Sequence, residues 1–172
     1  MLKTYKNLRI WCVIGLLLSA YATYVEVKAE QDADYVAMCD LSEKVSCTAV
    51  FTSSYGKGFG LLQHFTGDLT PPNGVLGIMF YIFMIVLTFV EKRLAIVTQL
   101  FIALVSNFLS VYLAYLLYFV LDDLCVVCVC IYIVNFFCLT ETWRIYKLKH
   151  GAISAKTSGK TNWHKTFGFK ND

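Results

Sequence analysis

Asp122-Asp123-Leu124-Cys125-Val126-Val127-Cys128 opens an apolar run that reaches Thr140, and its reading decides what kind of protein this is. Two cysteines three residues apart lie on one face of a helix, within bridging reach of each other. A helix capped by Asp122 or Asp123 would place Cys125 in its first turn, where unpaired backbone N–H groups and the macrodipole favour a thiolate. The two acids oppose that shift. Such a pair is either a redox couple at the rim of a membrane or two small hydrophobes in a packed helix, and the surrounding chain has to choose between them.

Working outward, 58% of the 172 residues are hydrophobic and 16% are charged, against ~45–50% and ~25% in soluble domains. This is the composition of a membrane protein. Four runs carry no charge: Ile10 to Val25, Gly74 to Val90, Leu94 to Leu121 and Leu124 to Thr140. Each approaches the ~20 residues that cross a hydrocarbon core, once tilt and snorkelling ends are allowed for. The expected fold is therefore an all-α integral membrane bundle of four transmembrane helices, spanning about 8–27, 74–91, 94–121 and 124–146 within a single domain over 1–149. A small luminal cap over 28–73 and a polar cytoplasmic tail over 150–172 complete it. That tail, rich in Ser, Thr, Gly and Lys, reads as unstructured.

Basic residues set the orientation. Lys3, Lys6 and Arg9 precede the first run, Lys92 and Arg93 lie between the second and third, and Arg144, Lys147 and Lys149 follow the fourth. The positive-inside rule puts all three groups in the cytoplasm, N- and C-termini included. Lys28 to Asn73, with six acids and three bases, falls on the other side together with Asp122-Asp123. The first run also fits a cleavable signal peptide, with a basic flank and an Ala20-Tyr21-Ala22 triplet. Leu8 to Val27 is long for such an h-region, and the topology works with the segment retained. No basic patch with interleaved aromatics points to nucleic acid.

The cap segment carries Val45, Val50, Phe51, Tyr55, Phe59, Leu61, Leu62 and Phe65, enough apolar surface to lie against the membrane as a lid. A short helix is expected around Asp34 to Ser46, then a turn at Gly56-Lys57-Gly58-Phe59-Gly60 where backbone can pass close to another surface. A second helix is expected over Leu61 to Thr66, ending at Gly67. Pro71-Pro72 halts any regular element before the second span. Cys39 and Cys47 lie in this lid, on the same side as Cys125 and Cys128. They are either a structural disulfide pinning the lid or the outer half of a thiol-exchange chain. Cys12, Cys130 and Cys138 read as apolar filler. His64, His150 and His164 make no Cys/His cluster at zinc spacing, so no metal site is expected.

The residues also carry a resemblance. Cys39-Asp40, Ser46-Cys47, the block Phe51 to Gly60, Asn73 ahead of Gly77, Phe80 and Tyr81, and Cys125-Val126-Val127-Cys128 with Tyr132 and Asn135 resemble the vitamin K epoxide reductase family of animals, over about Lys6 to Tyr146. The resemblance implies a multi-pass endoplasmic reticulum enzyme that reduces vitamin K 2,3-epoxide to the quinone and on to the hydroquinone, supporting γ-carboxylation of glutamates. It implies no permanently bound cofactor, the vitamin being substrate. The thiol at Cys128 would act on that substrate and Cys125 would complete the active disulfide. Cys47 would reduce that disulfide by exchange, and Cys39 would receive electrons from a luminal thioredoxin-like or protein disulfide isomerase-type donor. Asn73 and Tyr132 match the groups that bind the two quinone oxygens, in a pocket for which warfarin competes. Phe51, Phe59 and Leu62 of the cap, with Leu76 and Phe80 of the second span, would cover the ring. Tyr55 stands where many vertebrate members have tryptophan, and Pro71-Pro72 sits in a shortened loop, departures that bear on inhibitor sensitivity.

Judged alone, Tyr132 reads as an interfacial aromatic anchor and Asn73 as a turn residue beside Gly74. Two other functions fit the bare residues. One is a quinone-coupled thiol oxidase running the same chain in reverse to form disulfides in secreted proteins. The other is a non-enzymatic four-span scaffold, which has no use for a CxxC at the membrane boundary.

Overall fold

The computed structural model describes residues 4–32, 34–42, 44–61, 70–90 and 92–166, with side chains described up to residue 149. Among them the chain forms α1 (Lys6–Gln31), α2 (Cys47–Thr52), a single 3-10 turn (Gly58–Gly60), α3 (Asn73–Leu87), α4 (Arg93–Phe119) and α5 (Val126–Thr166). Three of these are long and apolar enough to cross a membrane: α1, α4 and the Val126–Lys149 part of α5. The second expected span corresponds to α3, which is apolar but 15 residues long. The outward surface is greasy: Phe108 is 75% exposed and Leu17 65%. In water such a surface would be an aggregation patch. Against hydrocarbon it costs nothing.

Small residues set the packing. Gly15 of α1 lies under the ring of Tyr81, and Gly74 and Gly77 of α3 lie against Thr23 and Ser19. A side chain at any of the three would force α1 and α3 apart, as expected where apolar helices associate through close backbone approach. On its other side α1 meets α5, where Trp11 stacks on Phe137 with centroids 4.3 Å apart. Helix α5 in turn packs along α4, so the order around the bundle is α3, α1, α5, α4. Contact between α3 and α4 is slight, held by one bond from Gln99 Nε2 to the Met84 carbonyl at 3.0 Å. The gap left there becomes the cavity described below.

The two ends of the bundle differ in charge. At one end Arg9 donates from Nε to Thr88 Oγ1 at 2.8 Å and covers the Phe89 ring at 4.2 Å, while Lys149 lies over Tyr5 and Arg144 reaches Glu141. At the other end the segment between α1 and α3 packs against the tips of α1 and α4. Ala37, Cys47, Val50 and Phe51 join Ala22, Val25 and Leu117 in one buried cluster.

Three local expectations are corrected. No helix forms over the described part of Asp34 to Ser46; the chain makes turns there and an isolated bridge between Ser42 and Val45. Asp40 is the reason. Its carboxylate takes the N–H groups of Ala37 and Thr48 and the hydroxyls of Ser46 and Thr48, at 2.6 to 3.1 Å, an alternative to helical bonding that short polar side chains offer the backbone. The helix starts instead at Cys47, where Ser46 Oγ accepts from the Ala49 N–H at 3.1 Å as its cap. Neither Asp122 nor Asp123 caps α5. Asp122 turns the chain at φ 52° and pairs with Lys44 at 2.7 Å, and Leu124 N–H bonds to the Lys44 carbonyl at 2.9 Å, which delays the helix to Val126. The tail expected to lack structure continues α5 to Thr166, since propagation from an established helix adds a hydrogen bond for each residue fixed. The second short helix expected over Leu61 to Thr66 lies, apart from Leu61, outside the described residues, as do Leu62, His64 and Phe65.

Candidate redox site

Both expected cysteine couples are brought together as disulfides. Cys39 pairs with Cys47, Cα atoms 5.9 Å apart, and Cys125 with Cys128, at 5.2 Å. Cys47 and Cys125 are each fully buried and belong to the same apolar cluster, against which Cys39 and Cys128 also pack. The lid disulfide and the helix disulfide therefore share one apolar core. Within each pair one sulfur is hidden and the other more accessible: Cys39 is half-buried, with Tyr21 Oη donating to its Sγ at 3.8 Å, and Cys128 is half-buried on α5.

Cys125 stands just before α5 rather than within its first turn. Its Sγ accepts the Cys128 N–H at 3.1 Å, doing for the helix what an N-cap oxygen does. Cys125 thus takes the cap position that the sequence reading assigned to Asp122 or Asp123.

Cys128 faces a cavity of about 320 Å³, within the size range of small-molecule sites. Its walls bring together Phe51, Tyr55 and Phe59 from the lid, Asn73, Leu76 and Phe80 from α3, leucines of α4, and Cys128 and Tyr132 from α5. Of the residues expected to cover a ring, Phe51, Phe59, Leu76 and Phe80 line it. Cys125 does not; it sits behind Cys128. Tyr132 is one turn along α5 from Cys128, and its hydroxyl has no hydrogen-bond partner among the described residues.

Asn73, the first residue of α3, also lines this cavity, with its amide partly engaged. Oδ1 accepts the Phe59 N–H and Nδ2 donates to the Tyr55 carbonyl, each at 2.7 Å, while the Asn73 N–H bonds to Gly56 O at 2.9 Å. Gly58 and Gly60 stand at φ 54° and 70° and Phe59 at 60°, a left-handed run that glycine tolerates and phenylalanine does not. The Asn73 bond to Phe59 N–H offsets that cost and aims the phenyl ring into the cavity. One N–H of the amide is then left for a ligand.

The sequence reading quoted Tyr81 and Asn135 for the resemblance but gave no role to the polar floor they form with Ser110. Tyr81 Oη donates to Asn135 Oδ1 at 2.8 Å, Asn135 Nδ2 donates to Ser110 Oγ at 2.9 Å, and Ser110 Oγ donates to Ser106 O at 2.9 Å. Ser19 Oγ, fully buried on the cavity wall, has no partner among the described residues. The available signal was polar side chains inside charge-free runs, which are costly in a bilayer and face the interior.

At the lid disulfide, Asp40 sits below its ordinary value of 3.8. Burial pushes it up, but the hydrogen bonds from Thr48, Ala37 and Ser46 outweigh that. Cys39, Asp40 and Cys47 place three potential donor atoms within 4.8 Å of one another, yet the bond between the two sulfurs takes both thiolates from any metal. Lys57, beside Glu30 at 2.5 Å, is raised by that hydrogen bond and ties the glycine loop to the end of α1.

A CxxC disulfide at a helix start, a second disulfide sharing its apolar cluster and an apolar cavity touching Cys128 define a membrane thiol–disulfide oxidoreductase. Comparison with known proteins agrees: the family model "Vitamin K epoxide reductase family" matches residues 8–143. Vitamin K epoxide reductase complex subunit 1 of Rattus norvegicus is 40% identical over 127 residues, covering 72% of this chain and 79% of the relative, and the Mus musculus protein matches equally. The chain belongs to the vitamin K epoxide reductase family.

Proposed function

We propose that the protein reduces vitamin K 2,3-epoxide to the quinone, and the quinone to the hydroquinone, with electrons from dithiols. The observation that carries this reading is the meeting of Cys128, Tyr132, Asn73, Phe51 and Phe80 around one apolar cavity. With the helix pair reduced, Cys128 as thiolate attacks an epoxide carbon and the ring opens to an alkoxide that takes a proton. Cys125 then attacks the Cys128 sulfur, the carbon–sulfur bond breaks, and the oxygen leaves as water. The sum is epoxide plus two thiols giving quinone, disulfide and water; the second round gives hydroquinone and disulfide. Tyr132 Oη and the remaining Asn73 N–H donate to the ring oxygens as negative charge builds there, the kind of preorganised donor whose removal costs ~10²–10³-fold in kcat.

Electrons reach Cys125–Cys128 from Cys47, and Cys39 receives them from a luminal thioredoxin-like or protein disulfide isomerase-type donor. Their common cluster favours this order, because Cys39 is the more accessible sulfur of the lid pair while Cys47 is buried in the same apolar cluster as Cys125. The protein works as a four-span endoplasmic reticulum protein with both termini cytoplasmic and the lid luminal; the collection of Arg9, Arg144 and Lys149 at the end remote from the disulfides supports that orientation. The short α3 spans by bilayer thinning and snorkelling at its ends. Coumarins such as warfarin compete for the cavity.

The test is dithiothreitol-driven epoxide conversion in microsomes. Cys128→Ser is expected to abolish it, and activity surviving that change would refute the assignment. Cys39→Ser or Cys47→Ser is expected to stop turnover driven by a protein donor while sparing the small dithiol reaction.

A further inference from the structure

The redox chemistry proposed above leaves Cys12 and Cys138 unused. They are free cysteines, both fully buried, and their sulfurs lie 3.9 Å apart across the contact between α1 and α5, 126 residues apart in sequence. We propose that they form a second redox site, a dithiol within the helix packing that a hydroperoxide converts to a disulfide stapling α1 to α5.

Geometry separates this pair from the relay. Cys138 is ten residues beyond Cys128 on one continuous helix, which is about 15 Å along the axis, too far for exchange with the Cys125–Cys128 bond. Its surroundings are Leu8, Met84, Val134 and Ile145, with Tyr81 between the pair and the cavity. Closing from 3.9 Å to the ~2.05 Å of a sulfur–sulfur bond needs about 2 Å of approach, within reach of small side-chain rotations on two helices already in contact. Two cysteines acting only as small hydrophobes have no reason to meet each other rather than the surrounding aliphatics.

The step balances. One thiol attacks the terminal oxygen of the hydroperoxide, the O–O bond breaks, and the thiol's proton passes to the departing oxygen, giving a sulfenic acid and the alcohol. The second thiol attacks that sulfur, the disulfide forms and water leaves. Two thiols and one hydroperoxide thus give a disulfide, an alcohol and water. An apolar, fully buried site selects an uncharged, lipid-soluble oxidant, and it shields the product from charged reductants. The staple fixes α1 against α5 beside Tyr81 at the cavity wall.

The experiment uses full-length protein in lipid vesicles, treated with tert-butyl hydroperoxide and then with a charged phosphine reductant. It is next denatured, alkylated, digested and read by mass spectrometry. The expected product is a peptide carrying Cys12 joined to Cys138 that survives the phosphine, with a denaturation midpoint raised by about 5 °C or more. Cys12→Ser and Cys138→Ser, which keep nearly the same volume, are expected to lose both the linked peptide and the rise. Complete alkylation of Cys12 and Cys138 after oxidation, or a thermal rise that persists in either variant, would overturn the proposal.

Discussion

Two phenols on the cavity wall make different demands. The Tyr132 hydroxyl bonds to nothing among the described residues, while that of Tyr81 is buried against Asn135. Tyr132→Phe is therefore expected to leave the denaturation midpoint within a degree or two and to lower kcat/KM for the epoxide by at least about tenfold. Tyr81→Phe orphans the Asn135 carbonyl oxygen and is expected to cost about 1–2 kcal/mol of stability, read as a lowered thermal midpoint. If both variants moved the same observable, the division between ligand group and structural group would be wrong. Asp40 carries a pH dependence. Its folded-state pKa is depressed, so the order it gives the Cys39–Cys47 loop is complete above its ordinary value of 3.8 and is lost as pH falls below that, through the lowered value. Hydrogen exchange at the Ala37 and Thr48 amides is the readout, with protection expected to fall only below about pH 3.8. Asp40→Ala should remove that protection at every pH.

Among the elements, the lid and the α1–α3 seam are the most exacting. Asn73 joins the glycine loop to the start of α3 through two side-chain bonds, so Asn73→Ala is expected to free Phe59 from its left-handed conformation and loosen the lid. Limited proteolysis of the 53–61 stretch should then accelerate several-fold, and KM should rise. Gly15→Ala sets a methyl group into the Tyr81 ring; overpacking of this kind costs typically ~1–3 kcal/mol, measured by thermal denaturation in detergent. The elements also mark where sequence reading reached its limit. The Gly56–Gly60 turn was legible because glycine acts through its own backbone. The absent helix before Ser46 was not, because it depends on Asp40 finding four partners that only the folded lid brings within reach.

Over the whole molecule, the basic residues Arg9, Arg144 and Lys149 gather at the end away from the two disulfides, and the bundle order α3, α1, α5, α4 leaves one thin seam. That seam holds the cavity because α3 and α4 diverge, so bulk placed there should act on ligand binding before stability. Leu109→Trp on the α4 wall is expected to raise KM for the epoxide severalfold with a small change in midpoint. Topology is checked in sealed microsomes with a membrane-impermeant maleimide: a cysteine introduced at Lys6 or Lys147 is expected to react from outside, and one at the exposed Met38 only after permeabilisation.

Charge-free runs, basic flanks and the order of four cysteines determined by themselves that this is a helical membrane protein with paired thiols, because hydropathy, charge and covalent reach belong to the chain whatever its folding. The tertiary structure alone decided that Cys125 caps α5, that Cys128 rather than Cys125 meets the cavity, that Asn73 holds the glycine loop while lining that cavity, and that Cys12 finds Cys138 across 126 residues. Each of these is a meeting of groups distant in sequence, and their proximity is set by which helix packs on which.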